Sequence, residues 1–195
     1  MSALPVTAPP TPMTVAQFIA WCQEHGVKHA ELDNGIPVVA QAQTVRHSER
    51  KVRVFNQIEQ AIAAAGLPCR PLMEMLVPIE GLQGKRGYEP DVLVQCGEPP
   101  SPDAIIIPDP LIVIEVVSPS SGRIDTALKM PWYFSLSSVL HYIIIEPQLR
   151  FLVWHAREAP QSIIQTHILR EGPMRLDPPG LLLDAGALIG PELPA

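Results

Sequence analysis

The sequence predicts an α+β domain in which a mixed or antiparallel β-sheet is flanked by helices. Helix signals dominate the first third of the chain, and short segments rich in Ile, Val and Leu fill most of the remainder. Only one clear helix candidate, 123–138, interrupts these segments. With 195 residues, the chain has the length of one domain and can bury a core without disulfides or metals. Strands are predicted in 73–79, 91–96, 111–117, 141–146, 150–156, 162–169 and 181–189.

Local signals place the first helices and a hairpin. Thr14 is a good N-cap for a short helix, and Gly26 follows its last turn. Asn34-Gly35 supplies the positive φ of a tight turn, so the flanking segments predict a β-hairpin. A long helix is predicted over 48–65 from apolar residues at three-to-four spacing. Its predicted apolar positions are Val52, Phe55, Ile58 and Ile62.

The outer face of that long helix carries a basic strip. Arg50 and Arg53 follow Arg46 by about one and two turns, and Lys51 lies nearby. Charge runs of this kind are usually only a solvated helix face. The alternative interpretation is that Arg46, Arg50 and Arg53 contact the phosphates of a nucleic acid.

Composition argues against several classes of protein. The net charge of −6 gives no global basic field for nucleic acid, and no apolar run approaches the roughly 18 to 20 residues that span a bilayer. Residues 1–13 are proline-rich and lack the features of a secretory signal, which predicts a flexible tail before a single domain over 14–195. Because Cys22, Cys69 and Cys96 are odd in number and far apart, we expect free thiols in a cytoplasmic protein.

A carboxylate interrupts the most strand-like segment of the chain. In LIVIEVV, residues 111–117, side chains alternate in direction, so Glu115 shares a face with Val113 and Val117. An ionised carboxylate buried without partners would cost several kcal/mol. Glu115 must therefore be neutral, paired, at a cleft, or bound to a metal ion.

A second carboxylate opens a neighbouring candidate strand. Pro90-Asp91 begins the segment DVLVQC, and if this strand pairs with the strand of Glu115, the two carboxylates can converge at one edge of the sheet. Two oxygen ligands suit a hard divalent cation, Mg²⁺ above all. Asp125 and Lys129 lie four apart on the next helix, which can return an ammonium to that edge. Such a set could hydrolyse phosphodiesters.

Each of these residues also has a purely structural interpretation. Asp91 could be a turn residue, and Asp125 with Lys129 a surface ion pair. Glu115 could be a buried group that a tyrosine or an arginine satisfies. Spacing alone does not decide between the structural and the catalytic interpretations.

The order of these residues matches the pattern of a known family. The matching positions are Pro90-Asp91, Glu115-Val116, Ser118-Pro119-Ser120, Asp125, Lys129, Tyr133, and Tyr142 with Glu146. The chain thereby resembles the bacterial Uma family, described as restriction endonucleases, whose fold is similar to that of PD-(D/E)XK phosphodiesterases. The resemblance covers about 31–189 and is most specific around Glu115.

The resemblance implies a restriction-endonuclease-like core and a set of site residues. Asp91 and Glu115 would bind Mg²⁺ or Mn²⁺, and Lys129 would be the catalytic lysine. The auxiliary residues would be Glu31, His47 and Asp125. The implied protein is an endonuclease acting on DNA, with a nuclease-like fold kept only for binding as the alternative. A homodimer is compatible with cleavage of both strands.

Two residues depart from the usual arrangement of that superfamily. Its lysine normally stands two residues after the second carboxylate, where this chain has Val117, so activity depends on Lys129 from the following helix. The Uma pattern shares this feature. Pro131 is particular to this chain, and it removes a backbone donor and can kink the helix that carries Lys129.

Overall fold

The computed structural model describes residues 11–117 and 123–191, with the side chains of 123–127 outside the description. The helices are α1 (Val15–His25), α2 (Val45–Ala65), α3 (Arg123–Tyr133) and α4 (Ala185–Ile189). The strands are β1 (Ala30–Asp33), β2 (Ile36–Val39), β3 (Cys69–Met73), β4 (Val77–Pro78), β5 (Gly87–Tyr88), β6 (Val92–Cys96), β7 (Ile112–Val116), β8 (His141–Glu146), β9 (Phe151–Ala156), β10 (Gln165–Leu169), β11 (Pro173–Leu176) and β12 (Leu181–Asp184).

These strands form three sheets. The largest is six-stranded, in the order β10-β9-β8-β7-β6-β3, and it is mixed because β7 and β8 are parallel while their outer neighbours are antiparallel. The helix α3 makes the crossover between β7 and β8. A four-stranded sheet, β2-β1-β5-β4, and a two-stranded ribbon, β11-β12, complete the architecture.

The central strand β7 is buried on both faces. On one face Ile112, Ile114 and Val116 pack against apolar residues of α2, α4 and the β11-β12 ribbon. On the other face Val113 joins a cluster that includes Tyr133 of α3 and residues of β4 and β5. The site described below lies on this second face, at the end of β7.

The local signals at the start of the chain are confirmed. The Thr14 hydroxyl accepts the amide of the third helical residue, which returns the contact as a capping box, and Gly26 ends α1 with a φ of 65°. In the hairpin Asn34 and Gly35 have φ values of 47° and 82°, as a tight turn requires. Residues 1–10 of the predicted tail lie outside the described residues. Met13 is buried in a cluster with α1.

The buried face of α2 agrees with the predicted one at Ile58 and Ile62 and differs from it at Val52. The helix begins at Val45 behind the N-cap Thr44, and Val52 is 45% exposed. The buried positions are His47, Lys51, Val54, Ile58 and Ile62. These also recur at three-to-four spacing, and they lie about 80° to 160° round the helix from Val52. The apolar residues alone did not reveal that two basic side chains continue the buried stripe.

Two predicted strands are shorter than expected. The segment 181–189 is β12 followed by α4, because Asp184 caps the helix by accepting the amide of Ala187 at 2.8 Å. The segment 73–79 is broken after Met73, since Glu74 has a φ of 53° and leaves the strand conformation.

The prediction of free thiols is wrong for two of the three cysteines. Cys69 and Cys96 are directly opposite each other in the antiparallel pair of β3 and β6, and they form a disulfide. Cys22 is free. Sequence spacing concealed the pair, because register brings together residues that are 27 positions apart. Among the helices of the described ranges, none is long and apolar enough to cross a membrane.

Candidate active site

Glu115 is a buried carboxyl group on the face of β7 that also carries Val113. It is 8% exposed, and Oε1 accepts the hydroxyl of Tyr133 at 3.2 Å. Burial raises the pKa of Glu115 to about 8, with the Lys129 ammonium opposing the rise and the Asp91 and Glu31 carboxylates adding to it. Burial therefore favours the protonated form of this carboxyl, and a bound cation would favour the ionised form.

Asp91 lies just before β6, at the same end of the sheet. The register pairs Val92 with Ile114, and one further step along it brings Asp91 opposite Glu115. The amide of Val116 donates to Asp91 Oδ2 at 2.7 Å, so the carboxylate continues the ladder where β6 has ended. The predicted pairing of these two strands is confirmed.

The other oxygen of Asp91 faces α2. Lys51 Nζ lies 3.4 Å from Oδ1, and His47 Nε2 lies 3.7 Å from the same atom. Because His47 and Lys51 are four residues apart, one turn of α2 directs both toward Asp91. His47, an auxiliary residue in the sequence-based prediction, thus lies beside one of the two carboxylates.

Lys129 brings an ammonium to the other carboxylate. Its Nζ lies 2.7 Å from both oxygens of Glu31 and 3.8 Å from Glu115 Oε1. The residue is 7% exposed, so the ammonium is held within the site. Pro131 lies inside α3, yet the helix runs on to Tyr133 and does not turn Lys129 away.

Glu31 links the four-stranded sheet to this site. It lies on β1 and accepts the amide of Glu89 at 3.0 Å as well as the Lys129 ammonium. The Glu31 carboxylate is thus held by its own strand and by the Glu89 amide, and it in turn holds the Lys129 ammonium. The backbone of Asp125 belongs to α3, but its side chain lies outside the described residues, so its auxiliary role stays a prediction.

Lys51 and Glu74 are site residues that sequence reasoning missed. The sequence places Lys51 near the exposed strip, but Lys51 is 2% exposed, and its ammonium contacts Glu74 Oε1 as well as Asp91. A cleft of about 370 Å³ opens beside this pair. The available signal was the four-residue spacing from His47, which places Lys51 on the same side of the helix.

Arg157, which holds the loop that follows α3, is another residue that sequence reasoning missed. This guanidinium is 6% exposed and donates to the backbone carbonyls of Phe134, Leu136 and Val139, in the loop that follows α3. Burial lowers the pKa of Arg157. By tying down that loop, Arg157 fixes the end of the helix that carries Lys129. A single arginine with no carboxylate partner in the sequence pattern gives no signal for this role.

The predicted basic strip lies beside α4. Arg50 and Arg53 line a small cleft with Gly190. Burial lowers the pKa of Arg50, and the Arg46 charge lowers it further while Glu146 opposes the change. Glu146 ends β8, which runs parallel to β7, so this strip begins at the same end of the sheet as Glu115.

The donor set at this end fits a hard divalent cation. Four carboxylates share the ammonium groups of Lys51 and Lys129, and two of them, Asp91 and Glu31, explain part of the raised pKa of Glu115. The four carboxylates are Glu31, Glu74, Asp91 and Glu115. Within the described ranges, no three His, Cys, Asp or Glu side chains are grouped to hold a metal. Mg²⁺ keeps several waters and needs only one or two protein carboxylates, so Asp91 and Glu115 suffice.

Comparisons with known proteins agree with the fold. The family model described as "Uma2: Putative restriction endonuclease" matches residues 15–186. A solved structure from Anabaena variabilis, described as "a putative nuclease belonging to DUF820", matches with a TM-score of 0.68 at 15% identity, covering 91% of this chain and 98% of that chain. This likeness confirms the predicted α+β, nuclease-like fold. A comparison with curated proteins finds no match.

Proposed function

The chain belongs to the Uma2 family, and on this premise we propose that it is a metal-dependent endonuclease that hydrolyses DNA phosphodiester bonds. One observation carries the proposal. Asp91, Glu115 and Lys129 come from three separate segments and meet at one end of the central sheet, with the Lys129 ammonium 3.8 Å from Glu115. Burying so many charges together costs free energy that an apolar strand end would avoid, which favours a functional reason.

Asp91 and Glu115 would hold Mg²⁺ or Mn²⁺ in this proposal. When bound, such an ion polarises a phosphate and lowers the pKa of a coordinated water. The residues of the chain supply the rest. Tyr133 fixes the rotamer of Glu115 through the 3.2 Å hydrogen bond, and the Val116 amide fixes Asp91. Because burial raises the pKa of Glu115, a bound ion would have to favour the ionised form of this carboxyl.

Lys129 would act as the lysine of the site. Glu31 holds its ammonium at 2.7 Å, in a position from which it can orient water or stabilise charge that develops on the phosphate. The residue two after Glu115 cannot do this, because Val117 is apolar and buried and its amide donates to Ile145 in the sheet. In this proposal Lys129, on α3, therefore takes the role of the catalytic lysine.

Arg46, Arg50 and Arg53 would contact the DNA backbone. The strip begins at the same end of the sheet as the carboxylates, and contacts of this kind set position without reading sequence. Their contribution would weaken as salt rises. A DNA substrate, a two-fold dimer and a cytoplasmic location stay predictions.

The second candidate function is a nuclease-like fold that binds without turnover. The specific observation in its favour is that the cluster satisfies itself without a cation. Glu115 accepts a tyrosine hydroxyl, and Lys129 is already paired with Glu31. This is also the structural interpretation of Glu115 that the sequence left open.

Cleavage assays with a matched control test the proposal. We expect the purified protein with Mg²⁺ or Mn²⁺ to cleave plasmid or single-stranded DNA, and Asp91→Ala to lose all cleavage. Asp103→Ala removes an exposed carboxylate from the loop between β6 and β7 and should cleave like the wild type. Cleavage that survives Asp91→Ala would contradict the assignment. Mn²⁺ calorimetry separates the two candidates, because a protein without a carboxylate-dependent metal site fits the binding module.

A further inference from the structure

A buried ammonium lies between two carboxylates on the side of the site away from Lys129. Lys51 is 2% exposed, and its Nζ contacts Glu74 Oε1 and lies 3.4 Å from Asp91 Oδ1. A side chain this deeply buried cannot reach a substrate. Its positive charge instead stabilises the two carboxylates that enclose it, as a bound cation would.

Separate elements hold this arrangement in place. Glu74 adopts a φ of 53° at the end of β3, and its amide donates to the Pro90 carbonyl at 3.2 Å, next to Asp91. Gln43 donates to Glu74 Oε1, the oxygen that also contacts Lys51, at 3.2 Å. A non-glycine residue at positive φ is uncommon, and here that conformation belongs to the residue whose carboxylate meets Lys51. The backbone is thus shaped to present Glu74 to the ammonium.

We infer that Lys51 takes the place of a second metal ion, so that the site is built for one divalent cation. This inference rests on the proposed function, in which Asp91 is a metal ligand. The two oxygens of Asp91 face different partners. Oδ2 accepts the Val116 amide on the side of Glu115, whereas Oδ1 faces the ammonium and Glu74.

The charge and the donor chemistry explain why the ammonium matters. Without Lys51, Glu74 and Asp91 would be two carboxylates around an open position beside a cleft of about 370 Å³, which is the donor set a hard cation prefers. A fixed ammonium fills that position with one positive charge. Lys51 is therefore a positioning residue that acts through Asp91.

Counting Mn²⁺ ions on the intact protein tests the inference. We expect calorimetry and electron paramagnetic resonance to find one Mn²⁺ per chain, lost in Asp91→Ala. Lys51→Ala should raise the number to two, with the spin-coupled signal of two neighbouring ions. Adding Glu74→Gln to Lys51→Ala should return it to one. Lys51→Asn, which keeps a polar side chain and offers an oxygen, is a second route to two ions.

Matched outcomes separate this inference from the proposed function. Lys85→Ala removes an exposed lysine and should stay at one ion. Two Asp91-dependent ions in the wild type would overturn the inference and leave the function standing, as would a folded Lys51→Ala or Lys51→Asn that still binds one. No Asp91-dependent ion in the wild type would overturn both. Should neither variant fold, the wild-type number decides alone, one supporting the inference and two refuting it.

Discussion

Alternate residues of the same strands form the two faces of the six-stranded sheet, and the two faces differ in chemistry: one is apolar and the other carries charged groups. On one face Ile112, Ile114 and Val116 pack against apolar side chains of the helices and the ribbon. On the other face, Val113 packs beside the Tyr133 ring, and Glu115 contacts the hydroxyl of that tyrosine and the Lys129 ammonium. Because side chains alternate along a strand, one segment can stabilise the fold and carry a charged site at once.

The difference shows how the charged face is tolerated. Every polar group on it needs a partner, and the partners come from distant elements: α3 supplies Lys129, β1 supplies Glu31 and α2 supplies Lys51. The apolar face needs only complementary volume. We therefore expect substitutions on the apolar face to affect stability most and substitutions on the charged face to affect metal binding and catalysis.

The largest effect should come from the apolar face. Ile114 is 0% exposed, so Ile114→Ala leaves a cavity and should reduce the free energy of unfolding by about 2–5 kcal/mol. Urea denaturation followed by circular dichroism measures this change. Val38→Ala, at a residue that is 53% exposed, is the control and should change it by less than about 0.5 kcal/mol. Equal losses of unfolding free energy in the two variants would contradict the claim that packing on the apolar face stabilises the fold.

A smaller effect, on rate, should come from the charged face. Lys129→Met removes the ammonium that lies 3.8 Å from Glu115 and should slow DNA cleavage about 100- to 1,000-fold, the cost of losing one stabilising group near developing charge. Mn²⁺ binding should persist, because both proposed ligands remain. The exposed residue Lys28 provides the control Lys28→Met. A loss of less than about tenfold would show that Lys129 is structural.

The smallest effect is a pH dependence of stability. Since burial raises the pKa of Glu115 to about 8, the folded protein keeps a proton that the unfolded chain releases at lower pH. The unfolding free energy of the metal-free protein should therefore fall as pH rises toward 8 and level off above it, by at most about 1.4 kcal/mol per pH unit for this group. Glu89, whose pKa burial raises to about 7, acts in the same direction.

Glu115→Gln measures how much of this pH dependence of the unfolding free energy comes from Glu115. The amide cannot titrate, so the fall between pH 7 and 8 should largely disappear, while the part due to Glu89 remains. Urea denaturation at several pH values measures both. An unchanged slope in Glu115→Gln would mean that the carboxyl is ionised in the folded protein and already stabilised by its partners.

The limits of sequence-based prediction follow from the range of the interactions. The caps of α1 and the Asn34-Gly35 turn depend on neighbours in the chain, and they were predicted correctly. The face of α2 was predicted correctly at Ile58 and Ile62 but not at Val52 or Lys51, because which side of a helix is buried depends on what packs against it. The ion pair of Lys51 with Glu74 spans 23 positions, and only the meeting of α2 with the end of β3 creates it.

The sequence by itself determined the strand of Glu115, the start of a second strand at Asp91, and the resemblance to the family, whereas the structure established that the two strands pair. Alternation along strands and local capping are properties of short segments, so the residues alone specify them. The tertiary structure decided that Lys129 pairs with Glu31, that Lys51 is buried, and that Cys69 meets Cys96. These contacts join distant segments, and electrostatics and packing select them only once the sheet and helices have come together.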